Sequence, residues 1–348
     1  MKPYAPVGVP SDLRPLLELT ARVGRDPLLT QAITGNSSAK LDGVLWIKAS
    51  GRWMADALRD DIVIPLDLAE ATDCLRRGID PTERYPSASL ETAMHATLPH
   101  RMVLHVHCVN TIAWAVRNDA PAQLRPRLDG LCWQWLPYVA SGLPLSRAIE
   151  RALLVCPNTN IFVLGNHGLV IAGEDAKAVE TLLTEVRGRL DISPRPAPPT
   201  DSELLLEICS EAPWNLPDDD GLHIFGTDVI SKAILTQGLL YPCHAIFSGS
   251  RTPQLFRPIY YPAHRLRSRY GDRPFLVIHG GGVVVNGSMA PAELAILSGL
   301  AQVVQRLDAS APLRYLTEFE IAGLGALNKR KEGNACLLRQ CHRDSLVW

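Results

Sequence analysis

No run of about 18 apolar residues occurs anywhere in the 348-residue sequence, so no membrane-spanning helix is expected. The longest candidate, around Pro274 to Val285, is broken by three glycines. The first twenty residues have no apolar core of signal-peptide type, which leads us to expect a cytoplasmic protein. Excess charge is also missing. Lys+Arg total 35 against Asp+Glu 36, so no nucleic-acid or polyanion partner is expected, and any anion must be held locally by a few residues. The eight cysteines include no CxxC pair, which argues for free thiols in a reducing compartment. Cys336 and Cys341 are close, but a structural zinc site needs two such pairs. No GxGxxG stretch follows a strand, so no dinucleotide-binding unit is expected.

What is present is a chain long enough for two domains, 47% hydrophobic, with alternating strand and helix patterns of an α/β protein. Leu13 to Gly24 has helical periodicity. The segment TGNSSAKLDGVLWIKASG, from Thr34, reads as strand, turn, strand around Asp42–Gly43. Further strands are expected at Ile62 to Leu66, Met102 to Val109 and Asn160 to Gly165, the last resuming after Asn166–His167–Gly168 at Val170 to Ala172. Helices are expected at Leu68 to Gly78, Ser89 to Leu98, Pro144 to Leu154 and Glu174 to Leu190. The proline-rich stretch from Ser193 marks a linker over 193–212, between a domain at 1–192 and a second at 213–348. FVLGNHGLVIAGEDAKAVETL, from Phe162, aligns without a gap on LVIHGGGVVVNGSMAPAELAI, from Leu276, at an offset of 114 residues. Either two β-turn-β-α units coincide, or the second domain is a degenerate copy in which His167 has become Gly281.

Three constellations could carry chemistry. His105 and His107 alternate along a strand and so point to one face, as a shared metal would require. His167, in a glycine turn at a strand end, could complete a three-histidine zinc site with one open position. Two surface histidines would show the same His-x-His spacing. Glu91, at a helix start, could serve the helix dipole or act as a general acid/base beside a metal. Asn36, Ser37, Lys48, Ser50 and Gly51 flank the hairpin and could cradle a phosphate or other substrate group, or they could be ordinary turn residues. Tyr241 to His244 and Tyr261 to His264 place histidines in loops, as structural groups or as pocket lining.

Taken in order, Thr34 to Ser38, Lys48 to Gly51, Ser89–Leu90–Glu91 with His95, His105–Val106–His107, and Asn166–His167–Gly168 with Gly173 resemble the class II aldolase/adducin family. The wording around ETAMHATLPHRMVLHVH is most similar to the aldolase portion of bifunctional rhamnulose-phosphate aldolase/dehydrogenase proteins. The resemblance implies a central, mainly antiparallel sheet flanked by helices and a homo-oligomer, dimer or tetramer. It also implies zinc or another divalent metal on His105, His107 and His167, with Glu91 as the acid/base. Asn36, Ser50, Gly51 and Ser89 would form its phosphate pocket. The implied reaction is cleavage of a hydroxyketose, typically a sugar phosphate, through an enediolate whose charge the metal spreads. Epimerases, decarboxylases and the non-catalytic adducin scaffold share the family. One departure is Leu90, where fuculose-phosphate-cleaving members carry a second serine before the glutamate.

Overall fold

The structure, a computed structural model, describes residues 9–210, 213–244, 252–260 and 266–324. Tyr261, His264, Cys336 and Cys341 lie outside the described residues. Chain contacts divide the molecule into two compact units. The first holds residues up to Cys108 together with Gly130–Val163 and Leu169–Arg189. The second takes Val109–Asp129, Leu164–Gly168 and the chain from Leu190 on.

The first unit is built on a seven-stranded sheet in the order β3-β2-β1-β4-β7-β6-β5. The strands are β1 (Asn36–Leu41), β2 (Val44–Lys48), β3 (Val63–Asp67), β4 (Met102–Val106), β5 (Trp133–Leu136), β6 (Ile161–Leu164) and β7 (Gly168–Gly173). β1 pairs antiparallel with β2 and β4, β2 with β3, and β4 with β7. Asp42 and Gly43 join β1 to β2 with φ of 48° and 78°. A type I′ two-residue hairpin turn needs positive φ at both central positions, and Asp and Gly tolerate it.

Helices cover both faces of the sheet. α1 (Arg14–Gly24) buries Leu16, Leu19, Thr20 and Val23, one stripe at helical spacing. Leu16 and Leu19 are almost wholly buried, each contributing about 1.5–3 kcal/mol. Thr20 Oγ1 meets Ser37 Oγ at 2.7 Å, so the α1 face of β1 is the face of Ser37. On the opposite face, Leu45 and Ile47 of β2 pack with Leu66, Ala71, Leu75, Ala93 and Ala96. Those residues include side chains of α2 (Leu68–Arg76) and α4 (Thr92–Thr97), which the one-turn α3 (Pro81–Arg84) separates along the chain. β4, β6 and β7 are buried along their whole length, which explains their unbroken apolar wording.

Two sequence expectations are corrected. β4 stops at Val106, and Val109–Ala115 is a helix, α5, where the strand was expected to run to Val109. Val109, Ile112 and Ala113 carry helical spacing that the preceding apolar run concealed. The stretch 193–212 is not a bare linker. Asp201 caps a helix at Ser202–Cys209 by accepting from Leu204 N, and Leu205 and Ile208 pack with Trp214, Leu276 and Val284. Arg195 is tied to Asp228 at 2.5 Å and to the Val304 and Gln305 carbonyls.

The second unit carries a three-stranded antiparallel sheet, β8 (Trp214–Asn215), β9 (Phe275–Ile278) and β10 (Gly282–Asn286), in the order β8-β10-β9. A helix at Pro291–Val304 follows it. β6 and β9 span corresponding residues at the 114-residue offset, and β7 and β10 begin at corresponding glycines, Gly168 and Gly282.

Gly35 sits at the entrance to β1 with φ +67°, and a Cβ there would lie 2.8 Å from the His105 carbonyl oxygen. Both strain and backbone contact oppose a side chain at this position. Gly35→Ala is therefore expected to lower the unfolding free energy by about 2–4 kcal/mol in denaturant titrations. A cost near zero would show that β1 and β4 are free to separate there.

Candidate metal centre

Register decides which side chains meet. Asn36 pairs with His105 across β1 and β4, and Ser38 with Val103. Directly paired residues share a face, so Asn36, Ser38 and His105 point together toward the α4 side of the sheet. His105 pairs in turn with Val170 of β7. Its Nδ1 lies 3.0 Å from the Leu169 carbonyl oxygen. A carbonyl only accepts, so Nδ1 carries the proton, and in the neutral ring Nε2 keeps its lone pair. That is the state a metal ligand needs, with the second nitrogen already oriented by backbone.

His107, two residues on, places Nε2 at 3.1 Å from His105 Nε2, with the rings edge to face. His167 occupies the turn between β6 and β7, its amide bonded to the Leu164 carbonyl. One ligand atom from each of His105, His107 and His167 lies within 4.8 Å of the others, and all three residues are buried. Tetrahedral zinc with bonds near 2.05 Å separates its nitrogen ligands by about 3.3 Å. The donor set thus fits a divalent cation of zinc type: three imidazoles, one tautomer fixed by a carbonyl, and two nitrogens already near ligand separation.

Glu91 stands beside this cluster. It precedes α4 as N-cap residue, yet its side chain makes no capping bond. The carboxylate turns inward instead. Oε2 accepts from Asn36 Nδ2 at 2.6 Å and lies 3.4 Å from His105 Nε2, and Oε1 accepts from Ser141 Oγ at 3.3 Å. The carboxylate is thus directed at the histidine cluster and not at the helix end.

Asn36 organises the surroundings. Its Nδ2 also donates to Ser89 Oγ at 3.1 Å, and its Oδ1 faces His95 Nε2 in a short contact. Because Oδ1 can only accept, His95 Nε2 donates, and His95 Nδ1 accepts from Ser38 Oγ at 2.6 Å. His95 is fully buried, and burial lowers its pKa to about 3, so the ring is neutral. Ser38 and Ser141 were not assigned a site role from the sequence, although Ser38 lies in the Thr34 to Ser38 motif and alternates with Asn36 along β1. Ser141, in a stretch that shares the family likeness, reaches Glu91 only through tertiary folding.

The expected substrate cradle is only partly assembled. Asn36 and Ser89 join Glu91. Ser37 does not: its side chain points to the opposite face, bonded to Thr20 and fully buried. Lys48 is buried, with Nζ donating to the carbonyls of Arg52 at 2.7 Å, Ile33 at 3.2 Å and Ala49 at 3.5 Å. The Ser50 amide bonds to the Ser87 carbonyl, and Gly51, at φ +75°, is exposed.

Buried neutral histidines make stability sensitive to acid. His95 and His244 are both fully buried, with pKa values lowered from 6.5 to about 3 by desolvation. Between pH 6.5 and 3 the unfolded chain binds protons that the folded chain refuses, so stability falls as pH falls through that window. The loss is on the order of 1 kcal/mol per pH unit for each histidine. His95→Gln is expected to flatten this slope in melts across the window; an unchanged slope would show that His95 is protonated in the fold.

The description "Class II Aldolase and Adducin N-terminal domain" belongs to a family model that matches residues 16–189. A Bacillus subtilis protein described as "Uncharacterized oxidoreductase YuxG" is 26% identical over 191 residues, a match covering 49% of this chain but 27% of that protein's length. Among solved structures, the N-terminal class II aldolase domain of a Thermoplasma acidophilum protein is 22% identical with a TM-score of 0.46, covering 55% of this chain and 97% of that one. The l-fuculose-1-phosphate aldolase of Thermus thermophilus is 19% identical with a TM-score of 0.37, covering 57% and 97%. With half of its length matched by the family model, from Leu16 through the turn that bears His167 to the end of the following helix, this chain belongs to the class II aldolase and adducin family.

Proposed function

We propose that the chain is a metal-dependent carbon–carbon lyase that reversibly cleaves a hydroxyketose, in the first instance a sugar phosphate, to a three-carbon ketone and an aldehyde. The observation that carries this reading is the buried three-histidine cluster with a carboxylate 3.4 Å from one of its nitrogens. His105, His107 and His167 would hold zinc or a similar divalent ion. Such an ion, when bound, supplies Lewis-acid charge for an enediolate, undiminished because all three ligands are neutral.

The chain's own groups account for the rest. Glu91 moves the proton. Its carboxylate is held in place by Asn36 and Ser141, which limits its rotation without neutralising it. Asn36 is itself locked by Ser89 and neutral His95, so the acid/base group stands on a rigid polar frame. Ser89 and the exposed Gly51 remain the best candidates for substrate oxygens, with charge from Lys48. The second unit, at the shared offset, reads as a copy of the strand-turn-strand-helix element without its histidine, since Gly281 stands where His167 does.

Sequence likeness makes rhamnulose 1-phosphate the first substrate to test, with fuculose 1-phosphate beside it to ask whether Leu90 in place of a second serine changes the preference. Cleavage would release an aldehyde that hydrazine traps. An isomer of unchanged mass would point to epimerisation, and release of carbon dioxide to decarboxylation. Purified protein with far less than one equivalent of metal, after growth with zinc, would favour a scaffold. Glu91→Gln is expected to lower kcat by about 10²–10⁴-fold while metal content stays at the wild-type level. His167→Ala is expected to lose the metal itself. Full turnover by Glu91→Gln would remove this residue from the chemistry.

A further inference from the structure

The turn that carries His167 has an unusual residue before it. Asn166 is fully buried and adopts φ +50°, the left-handed region that side-chain-bearing residues rarely occupy. Its amide group is completely used. Nδ2 donates to the Leu240 and Arg314 carbonyls, each at 2.8 Å, and Oδ1 accepts from Arg314 Nη1 at 3.0 Å. Its backbone amide donates to the Ala115 carbonyl at 2.9 Å. The polarity of the partners leaves no ambiguity about which side atom is nitrogen.

Arg314 belongs to an extended segment, residues 312–316, that is fastened along its length. Arg314 N donates to the Val116 carbonyl at 2.7 Å, Asn118 N to the Pro312 carbonyl at 2.7 Å, and Leu316 N to the Leu239 carbonyl at 2.8 Å. An antiparallel bridge joins Arg117 and Leu313. The other end of the guanidinium bonds Glu320 Oε1 at 2.6 Å, and Glu320 Oε2 accepts from Thr317 N. All of these groups lie in the second unit, as does the turn itself. Residues 239–240 and 312–316 fall outside the segment matched by the family model, so the aldolase-like portion does not supply these bonds itself.

We propose that residues 312–316 form a strap that positions His167, acting through Arg314 and Asn166. Asn166 and Arg314 are positioning residues: neither touches a substrate or offers a metal ligand. The strap selects the left-handed conformer of Asn166, and that conformer sets the direction in which the next residue leaves the turn. The chain beyond the family-matched portion thereby takes part in building a metal ligand. The inference depends on the metal-site reading above.

The test is binding of Zn²⁺ and Co²⁺ to the full chain, by competition titration and by the visible absorption of bound Co²⁺, which reports ligand geometry. Arg314→Met and Asn166→Gly are expected to weaken metal binding about 10–100-fold and to alter the Co²⁺ spectrum, as loss of an outer partner of a ligand does elsewhere. Asn166→Gly is informative because glycine adopts φ +50° freely; the loss then reports the missing bonds rather than strain. Arg314→Lys keeps a donor and is expected to recover part of the affinity. Arg306→Met removes a different arginine brace of the same unit, Arg306 Nε to Asn110 Oδ1 at 2.6 Å, and is expected to leave affinity unchanged. Wild-type affinity and spectrum in folded Asn166→Gly and Arg314→Lys would overturn the strap while leaving the metal site intact. Equal weakening by Arg306→Met would overturn it as well, by showing a general loosening. A wild-type chain that takes up neither ion, with His167→Ala no different, would overturn the metal reading and the strap together. Should Arg314→Met fail to fold, Asn166→Gly and Arg314→Lys decide.

Discussion

The antiparallel pairing that sets Asn36 opposite His105 is the contact on which the candidate site depends. A strand's side chains alternate, so a slip of one residue would carry Asn36 and Ser38 to the α1 face and bring Ser37 beneath Glu91. Register is held on both faces at once, by Thr20 against Ser37 on one and by the Asn36 network on the other. Gly35 permits the close approach, since no Cβ could stand so near the His105 carbonyl. One pairing thus fixes the strand that carries His105, the Asn36–Glu91 contact and the neutral His95 behind it.

The network around Asn36 sits among residues that are nearly inaccessible to water. In such surroundings an unpaired polar group costs about 1–3 kcal/mol, so the members stabilise one another as a set. Asn36 has two donors and an acceptor, all engaged, and its neighbours leave no choice of orientation. The same dryness keeps His95 neutral. A charged ring there could no longer accept from Ser38 through Nδ1, so the neutral state is the one this hydrogen-bond network requires.

His167 reaches the site by another route. His105 and His107 come from one central strand whose position β1 and β7 dictate. His167 stands on a short turn whose backbone is shaped by groups far along the chain, Leu240 and Arg314 among them. The three histidines of the cluster therefore have unequal support, two from the sheet and one from a loop fastened by distant segments. Loops hold function where something rigid positions them. Here that rigidity comes from a buried amide and a guanidinium rather than from ladder hydrogen bonds.

Much of the architecture was legible in the residues. The Asp42–Gly43 hairpin, the β4 strand with His105, the β6–β7 element and its later counterpart all carry local signals, and local signals are what a sequence displays. The candidates His105, His107 and His167 could also be named, because alternation and a glycine turn mark their positions, whereas Glu91 was singled out by its place at a helix start and by the family resemblance. Where reading failed, the deciding force was not local. Residues 109–115 became a helix although the apolar run before them continued without a break. Part of the stretch 193–212 became a helix because Leu205 and Ile208 found an apolar partner in Trp214. Ser37 was chosen with its neighbours, yet strand alternation and Thr20 sent it to the other face. By itself, then, the sequence determined the elements, the turn chemistry and the identity of the chemical groups, all set by covalent neighbours. Only the tertiary structure decided which side each group faces, that Ser141 meets Glu91, and that Arg314 fastens Asn166. Those outcomes come from register and from hydrogen bonds between segments up to 148 residues apart, which leave no trace in local spacing.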